Sequence, residues 1–239
     1  MNDLLDQTIS AHGGIERWSE LTNIHTRLSA TGAVWDLKGQ PKLFADAEVD
    51  VDPRRQFVQT TPFIHGGWKG IFEPDHVRIV DADGRIQEER TQPRESFAGH
   101  TLQTQWDHLH AIYFGGYALW TYLTLPFVLT RPGFVVDEIA PWQDEDQELR
   151  RLRVQFPADI ATHSTEQVLY LNEAGLIVRH DYTAAITGGG AGAHFLSGHK
   201  TFDGIVFPSH RRVFPRQPDN SAAPQPLLID IDFDGYVLS

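Results

Sequence analysis

The sequence predicts a single α+β domain over residues 1–239. In it, a strongly curved antiparallel sheet, an open or half β-barrel of about 10–11 strands, wraps around a central aromatic helix, with a further helix at the N-terminus. Three observations carry this. The chain opens on helical spacing, both halves are filled by short segments of period two, and one uncharged, aromatic stretch of helical period separates the halves.

The N-terminal helix rests on Leu4, Leu5, Ile9 and His12. Gly13-Gly14 interrupts it, and Ile15, Trp18 and Leu21 add a second short turn. Strand candidates follow at Ile24–Thr31, Leu43–Val51, Gln56–Thr60, Gly67–Phe72, His76–Val80 and Arg85–Arg90. Asp81-Ala82-Asp83-Gly84 is a hairpin turn by composition. From Thr104 to Leu125 the steps become three and four, placing Trp106, Leu109, His110, Tyr113, Tyr117, Trp120 and Thr124 on one face, and Pro126 ends or kinks the run. Strands resume at Val135–Ile139, Leu149–Phe156, Gln167–Leu171 and Leu176–Thr183, the last two joined by the turn Asn172-Glu173-Ala174-Gly175. Further candidates are Phe195–Thr201, Ile205–Phe214 and Leu227–Val237, with Arg216–Pro226 an exposed loop.

Composition narrows the function. With 20 Lys+Arg against 32 Asp+Glu the net charge is -12, which opposes binding to nucleic acid and anionic membranes. Without cysteine there is no disulfide or thiolate chemistry. The start Met1-Asn2-Asp3-Leu4-Leu5-Asp6 lacks the basic and apolar regions of a secretory signal, so a cytoplasmic address is expected. Ala111–Thr130 is uncharged, but its glycines, tyrosines and Pro126 suit a buried helix better than a membrane span. Asp144-Glu145-Asp146 reads as a solvated acidic turn.

The segments Ala11-His12-Gly13-Gly14-Ile15-Glu16-Arg17-Trp18, Leu169 to Arg179, and Phe202-Asp203-Gly204-Ile205-Val206-Phe207-Pro208 resemble LolA-like lipoprotein-carrier domains. The resemblance implies an unclosed β-barrel with helices as a lid over a hydrophobic cavity. It covers element order over most of the chain but residues only in these patches. Lipoprotein transport is not expected to carry over, because no secretory signal is read in Met1-Asn2-Asp3-Leu4-Leu5-Asp6 and the sequence is rich in His and aromatics.

Twelve histidines invite a metal reading. His108 and His110 point about 200° apart on a helix, and no H-E-x-x-H pattern is present, so no metal and no other cofactor is expected. Gly188–Ala193 resembles a dinucleotide loop but lacks the helix that must follow it. No P-loop or nucleophile elbow occurs.

The pocket candidates are as follows. Alternation puts Leu176, Val178, His180 and Tyr182 on one strand face and Arg179 with Asp181 on the other. His180 is a candidate base, and Tyr182 or His110 a candidate proton donor. His210, Arg211 and Arg212 share a strand; Arg211 falls with Val213, and His210 and Arg212 with Phe214. Arg212 is assigned as the candidate anion holder. Trp106, Tyr113, Tyr117 and Trp120 would form an aromatic wall, with His194 and His210 as further ligand contacts and His163 with Glu166 at the rim. These groups can equally be hydrogen-bonded core.

Two functions follow. One is an intracellular protein binding a hydrophobic small molecule or lipid in a largely apolar cavity of roughly several hundred Å³. The other is a metal-independent acid–base enzyme, an isomerase, lyase or cyclase, acting on a hydrophobic carbonyl compound in the same cavity. A weaker third has the aromatic helix as an exposed contact surface for a protein or membrane. The sequence names no protein partner.

Overall fold

The structure, a computed structural model, describes residues 3–144 and 147–239. Met1 and Asn2 of the N-terminal reading, and Glu145 and Asp146 of the acidic turn, lie outside the described residues. Four α-helices are present among those described: α1 (Asp3–Ala11), α2 (Ile15–Glu20), α3 (Ala33–Leu37) and α4 (His108–Thr124). The first half of the sheet comprises β1 (Ile24–Thr31), β2 (Phe44–Val51), β3 (Val58–Thr61), β4 (Lys69–Glu73), β5 (His76–Val80) and β6 (Ile86–Thr91). The second comprises β7 (Val135–Asp144), β8 (Gln147–Gln155), β9 (Glu166–Leu171), β10 (Ile177–Ala184), β11 (Gly190–Phe202), β12 (Ile205–Pro215) and β13 (Ile229–Leu238).

All thirteen strands join one antiparallel sheet in the order β6-β5-β4-β3-β2-β1-β13-β12-β11-β10-β9-β8-β7. Every candidate segment therefore pairs, and the expected count of about 10–11 strands is corrected upwards. Each half is a meander. The halves meet where β1 pairs with β13, from Ile24 opposite Leu238 to Thr31 opposite Asp230. The free edges are β6 and β7, the two strands that flank α4 in sequence. A connection between opposite edges of one curved sheet has a short route through the concavity, and α4 takes it.

Curvature has identifiable sources. Register shifts occur on both sides of β1, where the extra residue falls on β13 between Phe233 and Tyr236 opposite Leu28 and Thr26, and on β2 between Phe44 and Ala47 opposite Ala30 and Leu28. Others lie in β10 between Ile177 and Arg179, and between β7 and β8 beyond Ile139. Each inserts residues on one strand and bends it.

Helix α4 starts at His108 rather than near Thr104, because Asp107 caps it. The Asp107 carboxylate accepts from His110 N at 2.8 Å, and Asp107 N donates to His110 Nδ1 at 3.2 Å. Arg90 of β6 donates to both carboxylate oxygens, fixing the helix start to the sheet edge. From Leu109 to Thr124 the helix is buried on every side except at His110, so the exposed-contact reading is corrected. It packs on β3, β4 and β5. Gly116 permits this approach: a Cβ there would overlap the Phe72 ring of β4.

The short helix α3 went unpredicted because five residues carry too little periodicity. It brings Trp35 into contact with Phe44 and Phe114. No helix among the described residues is long and apolar enough to cross a membrane.

Candidate functional site

The inner face of β9–β12 supplies an array of buried polar groups, and α4 supplies two tyrosines to meet it. Tyr122 Oη lies 2.9 Å from His163 Nε2 and 2.7 Å from Tyr182 Oη, while Tyr117 Oη reaches His163 Nδ1 at 3.2 Å. The His163 and Tyr182 rings stack at 3.9 Å, nearly parallel. His180 Nε2 lies 2.5 Å from Gln167 Oε1. Gln167 Nε2 donates to Thr162 and Ser164, which fixes the amide orientation and makes His180 Nε2 the donor. His194 lies against Tyr122 at 4.5 Å, and both of its ring nitrogens lack a partner among the described residues.

Arg211 of β12 completes the array. It is 2% exposed, donates to the Tyr122 carbonyl at 2.6 Å and lies over the Tyr122 ring at 5.0 Å. Its Nε has no partner, and no carboxylate pairs with it among the described residues.

Burial governs the titration of this array. It drives His163 and His194 well below the ordinary histidine range and His180 down to about 3, with the Arg211 charge adding to the effect on His180 and His194. Burial also pushes Tyr117 and Tyr182 well up. Near neutrality the array is thus a set of neutral rings around one guanidinium. A histidine titrating near 3 is a weak general base, so the geometry does not favour the acid–base roles.

Two voids adjoin Tyr122. The first, about 10 Å³, is lined by His12, Tyr122, His180 and Arg211 with apolar neighbours including Leu125 and Ile177. The second is an apolar groove of about 30 Å³ between α4 and strands β1, β2 and β13. Its walls include Leu28, Trp35, Phe44, Ala118, Leu119 and Ile231, and only carbon faces it. A separate open cleft of about 480 Å³ lies on the surface beside Tyr113, Arg94 and the 158–165 loop.

The expected interior cavity of several hundred Å³ is therefore corrected: these interior spaces are small. Aromatic and aliphatic side chains from α4 and both halves of the sheet, with the buried rings of His163, His180 and His194, fill the barrel.

His180, Tyr182 and His194 stand together as neighbours on the inner face. Arg212 and His210 do not join them. Both lie on the outer face, where Arg212 pairs with Asp230 at 3.1 Å and His210 with Asp232 at 2.6 Å. His110 is occupied at the helix cap, beside His100 and Phe97. Trp106, Tyr113 and Tyr117 meet through Phe97 and Phe114, but Trp120 turns away and donates to Asp52 O at 3.0 Å. The four are not one wall, and none of them lines the apolar groove. Val178 is displaced from the inner face by the β10 bulge, which brings Ile177 there instead.

Sequence reasoning missed Tyr122, Gln167 and the inward arginine, Arg211. The signal for Arg211 was present: Ile205, Phe207, Arg211 and Val213 share one parity, more apolar than the alternate positions.

No protein-family model matches this chain, and no curated protein matches it by sequence. Among solved structures, one described as an outer membrane lipoprotein-sorting protein domain from Vibrio parahaemolyticus aligns at a TM-score of 0.52 and 10% identity, covering 95% of this chain and 93% of its own. A DUF1329 family protein from Desulfovibrio piger aligns at 0.55 and 11% identity, covering 99% and 92%. A LolA superfamily protein from Nitrosomonas europaea aligns at 0.48 and 6% identity, covering 94% and 91%. The first two, at TM-scores above 0.5, share the open antiparallel sheet with an enclosed helix, in keeping with the LolA-like resemblance of the sequence. At these identities the likeness defines the fold alone. The cytoplasmic address is withdrawn, because a structure sharing this fold is described as an outer membrane sorting domain.

Proposed function

We propose that this protein binds an apolar molecule, a lipid or other hydrophobic small molecule, in the groove between α4 and strands β1, β2 and β13. The observation that carries this is the groove lining: eleven residues from both halves of the sheet, α3 and α4 present no polar surface to the space they enclose. Dry apolar recesses retain apolar guests rather than water. The LolA-like fold, found in a protein described as a lipoprotein-sorting domain, supports the same reading.

At about 30 Å³ the groove is closed, against roughly 300 Å³ or more for a ligand pocket. Loading has to widen it. The short helix α3, whose Trp35 forms part of the wall, is the element suited to yield. A helix of five residues has little stability of its own. It is held by Ala33 N to Leu227 O, Val34 N to Leu228 O, and Gln105 Nε2 to Leu37 O.

Titration with 1-hexadecanol tests the reading. One equivalent is expected to bind, and Ala118→Phe, which fills the groove from α4, is expected to weaken binding by at least about tenfold while the fold persists. Unchanged affinity in a folded Ala118→Phe protein would remove the groove as the site.

A further inference from the structure

Among the described residues three cations are almost wholly buried, Lys38, Arg179 and Arg211. Lys38 donates to the carbonyls of Thr101, Leu102 and Thr104 at 2.8, 2.8 and 3.2 Å. Arg179 donates to both carboxylate oxygens of Asp181 at 2.7 and 2.8 Å. Both are satisfied. Arg211 has the Tyr122 carbonyl, an unpartnered Nε and no carboxylate among the described residues. A buried, uncompensated guanidinium is costly, and natural proteins rarely retain one without an anion to meet it.

The surroundings define that anion. Arg211 faces the small void together with His180 and His12. His180 donates its Nε2 hydrogen to Gln167, so in the neutral ring Nδ1 carries a lone pair, and this buried nitrogen has no partner among the described residues. His12 has Nδ1 2.8 Å from the Thr8 carbonyl, so its hydrogen is on that nitrogen. A head group completing the site must offer an oxygen to Arg211 and a proton to an imidazole lone pair. A carboxyl group does both. One oxygen accepts from Arg211, and the acid's O–H proton passes to His180 Nδ1, which then donates to the other oxygen, so that the bound head is a carboxylate with one negative charge. A single fixed charge calls for a monoanion, and the void of about 10 Å³ has to widen to admit it, as the groove does for the chain.

Tyr122 links this site to the groove, because it lines both the polar void and the apolar recess. We infer that the ligand is a long-chain carboxylic acid, its head at Arg211 and His180 and its chain running past Tyr122 into the groove between α4 and β13. This inference rests on the groove reading above and adds the chemistry of the head.

The test compares hexadecanoic acid with its methyl ester, which keeps the chain but loses both the charge and the acidic proton. The acid is expected to bind the wild-type protein at least about tenfold more tightly, the scale of a lost charge-assisted hydrogen bond. Arg211→Leu is expected to bring the acid down to the ester's affinity and to leave the ester unchanged. Equal affinities for acid and ester in the wild-type protein would overturn the head-group site while leaving the groove reading intact. Binding of neither would overturn both. Persistence of the preference in Arg211→Leu would assign it to other residues; should that variant fail to fold, the wild-type pair of affinities decides. Sodium acetate is expected not to raise the melting temperature. Stabilisation by acetate matching that by the long-chain acid would make a free small carboxylate the occupant and break the link to the groove.

Discussion

Lowering the pH from about 7.5 to about 5 should destabilise this protein far more than its surface charges would. His180 and His12 are held at about 3 and about 4, against 6.5 for an unburied histidine, chiefly by desolvation. Above pH 6.5 both groups are neutral in the folded and the unfolded chain, and their full contribution to stability is present. As the pH falls through 6.5, the unfolded chain takes up protons that the native chain refuses. Stability then declines until the pH reaches the native values, below which these two groups add nothing more. At pH 5 each group has lost about 2 kcal/mol, and the pair about 4 kcal/mol. His163 and His194, lowered well below the ordinary value by the same cause, act in the same direction. Their neighbours are Tyr117 and Tyr122 of α4, His180 and Tyr182 of β10 and Arg211 of β12, with the Arg94 charge also acting on His163. None of these supplies a negative charge to hold an imidazolium. Against a total of about 5–15 kcal/mol, the loss is large. Urea unfolding followed by tryptophan fluorescence at the two pH values measures it directly. A decline of less than about 1 kcal/mol would refute the claim that these rings are buried and neutral.

Other perturbations follow from the same contacts. Gly116→Ala places a methyl group against the Phe72 ring and should cost about 1–3 kcal/mol, read as a lower melting temperature. Tyr122→Phe removes the hydroxyl shared by His163 and Tyr182 and should cost about 1–3 kcal/mol by leaving both without that partner; a loss under about 0.5 kcal/mol in urea would contradict the hydrogen-bond assignment. Arg212→Ala removes half-exposed pairs with Asp230 and Asp232 and should cost no more than about 1 kcal/mol, with ligand affinity unaltered.

Much of this architecture is legible in the residues because both of its periods are clean. Alternating segments bounded by turn residues placed a candidate in each of the thirteen strands, although the sheet was expected to hold about 10–11, and the uncharged stretch from Ala111 pointed to the enclosed helix. The site was harder for reasons that lie in the sheet itself. On β12 both faces are partly covered. Phe214, on the outer side, meets Phe195, and next to it Arg179 and Asp181 are buried on the outer face, with Arg179 donating to Asn220 O of the 216–226 loop. The usual contrast between an apolar and a polar face is therefore weak, and the parity that separates Arg211 from Arg212 was easy to read the wrong way. On β10 the bulge at Ile177 breaks alternation, so Val178 loses the place that strict period two assigns it. Tyr122 escaped because it lies five residues beyond Tyr117, off the three- and four-residue steps that marked the aromatic face. The size of the interior space depends on how rings interlock, which spacing does not encode.

The central claim is that the groove beside Ala118 opens to take a chain. It is tested most directly by crystals grown with 16-bromohexadecanoic acid, a fatty acid with bromine at the tip of its chain. The account predicts an anomalous bromine peak between α4 and β13, near Ala118 and Ile231, with α3 shifted from its present seat. A bromine peak confined to the surface cleft beside Tyr113 and Arg94, with the groove still closed, would contradict it.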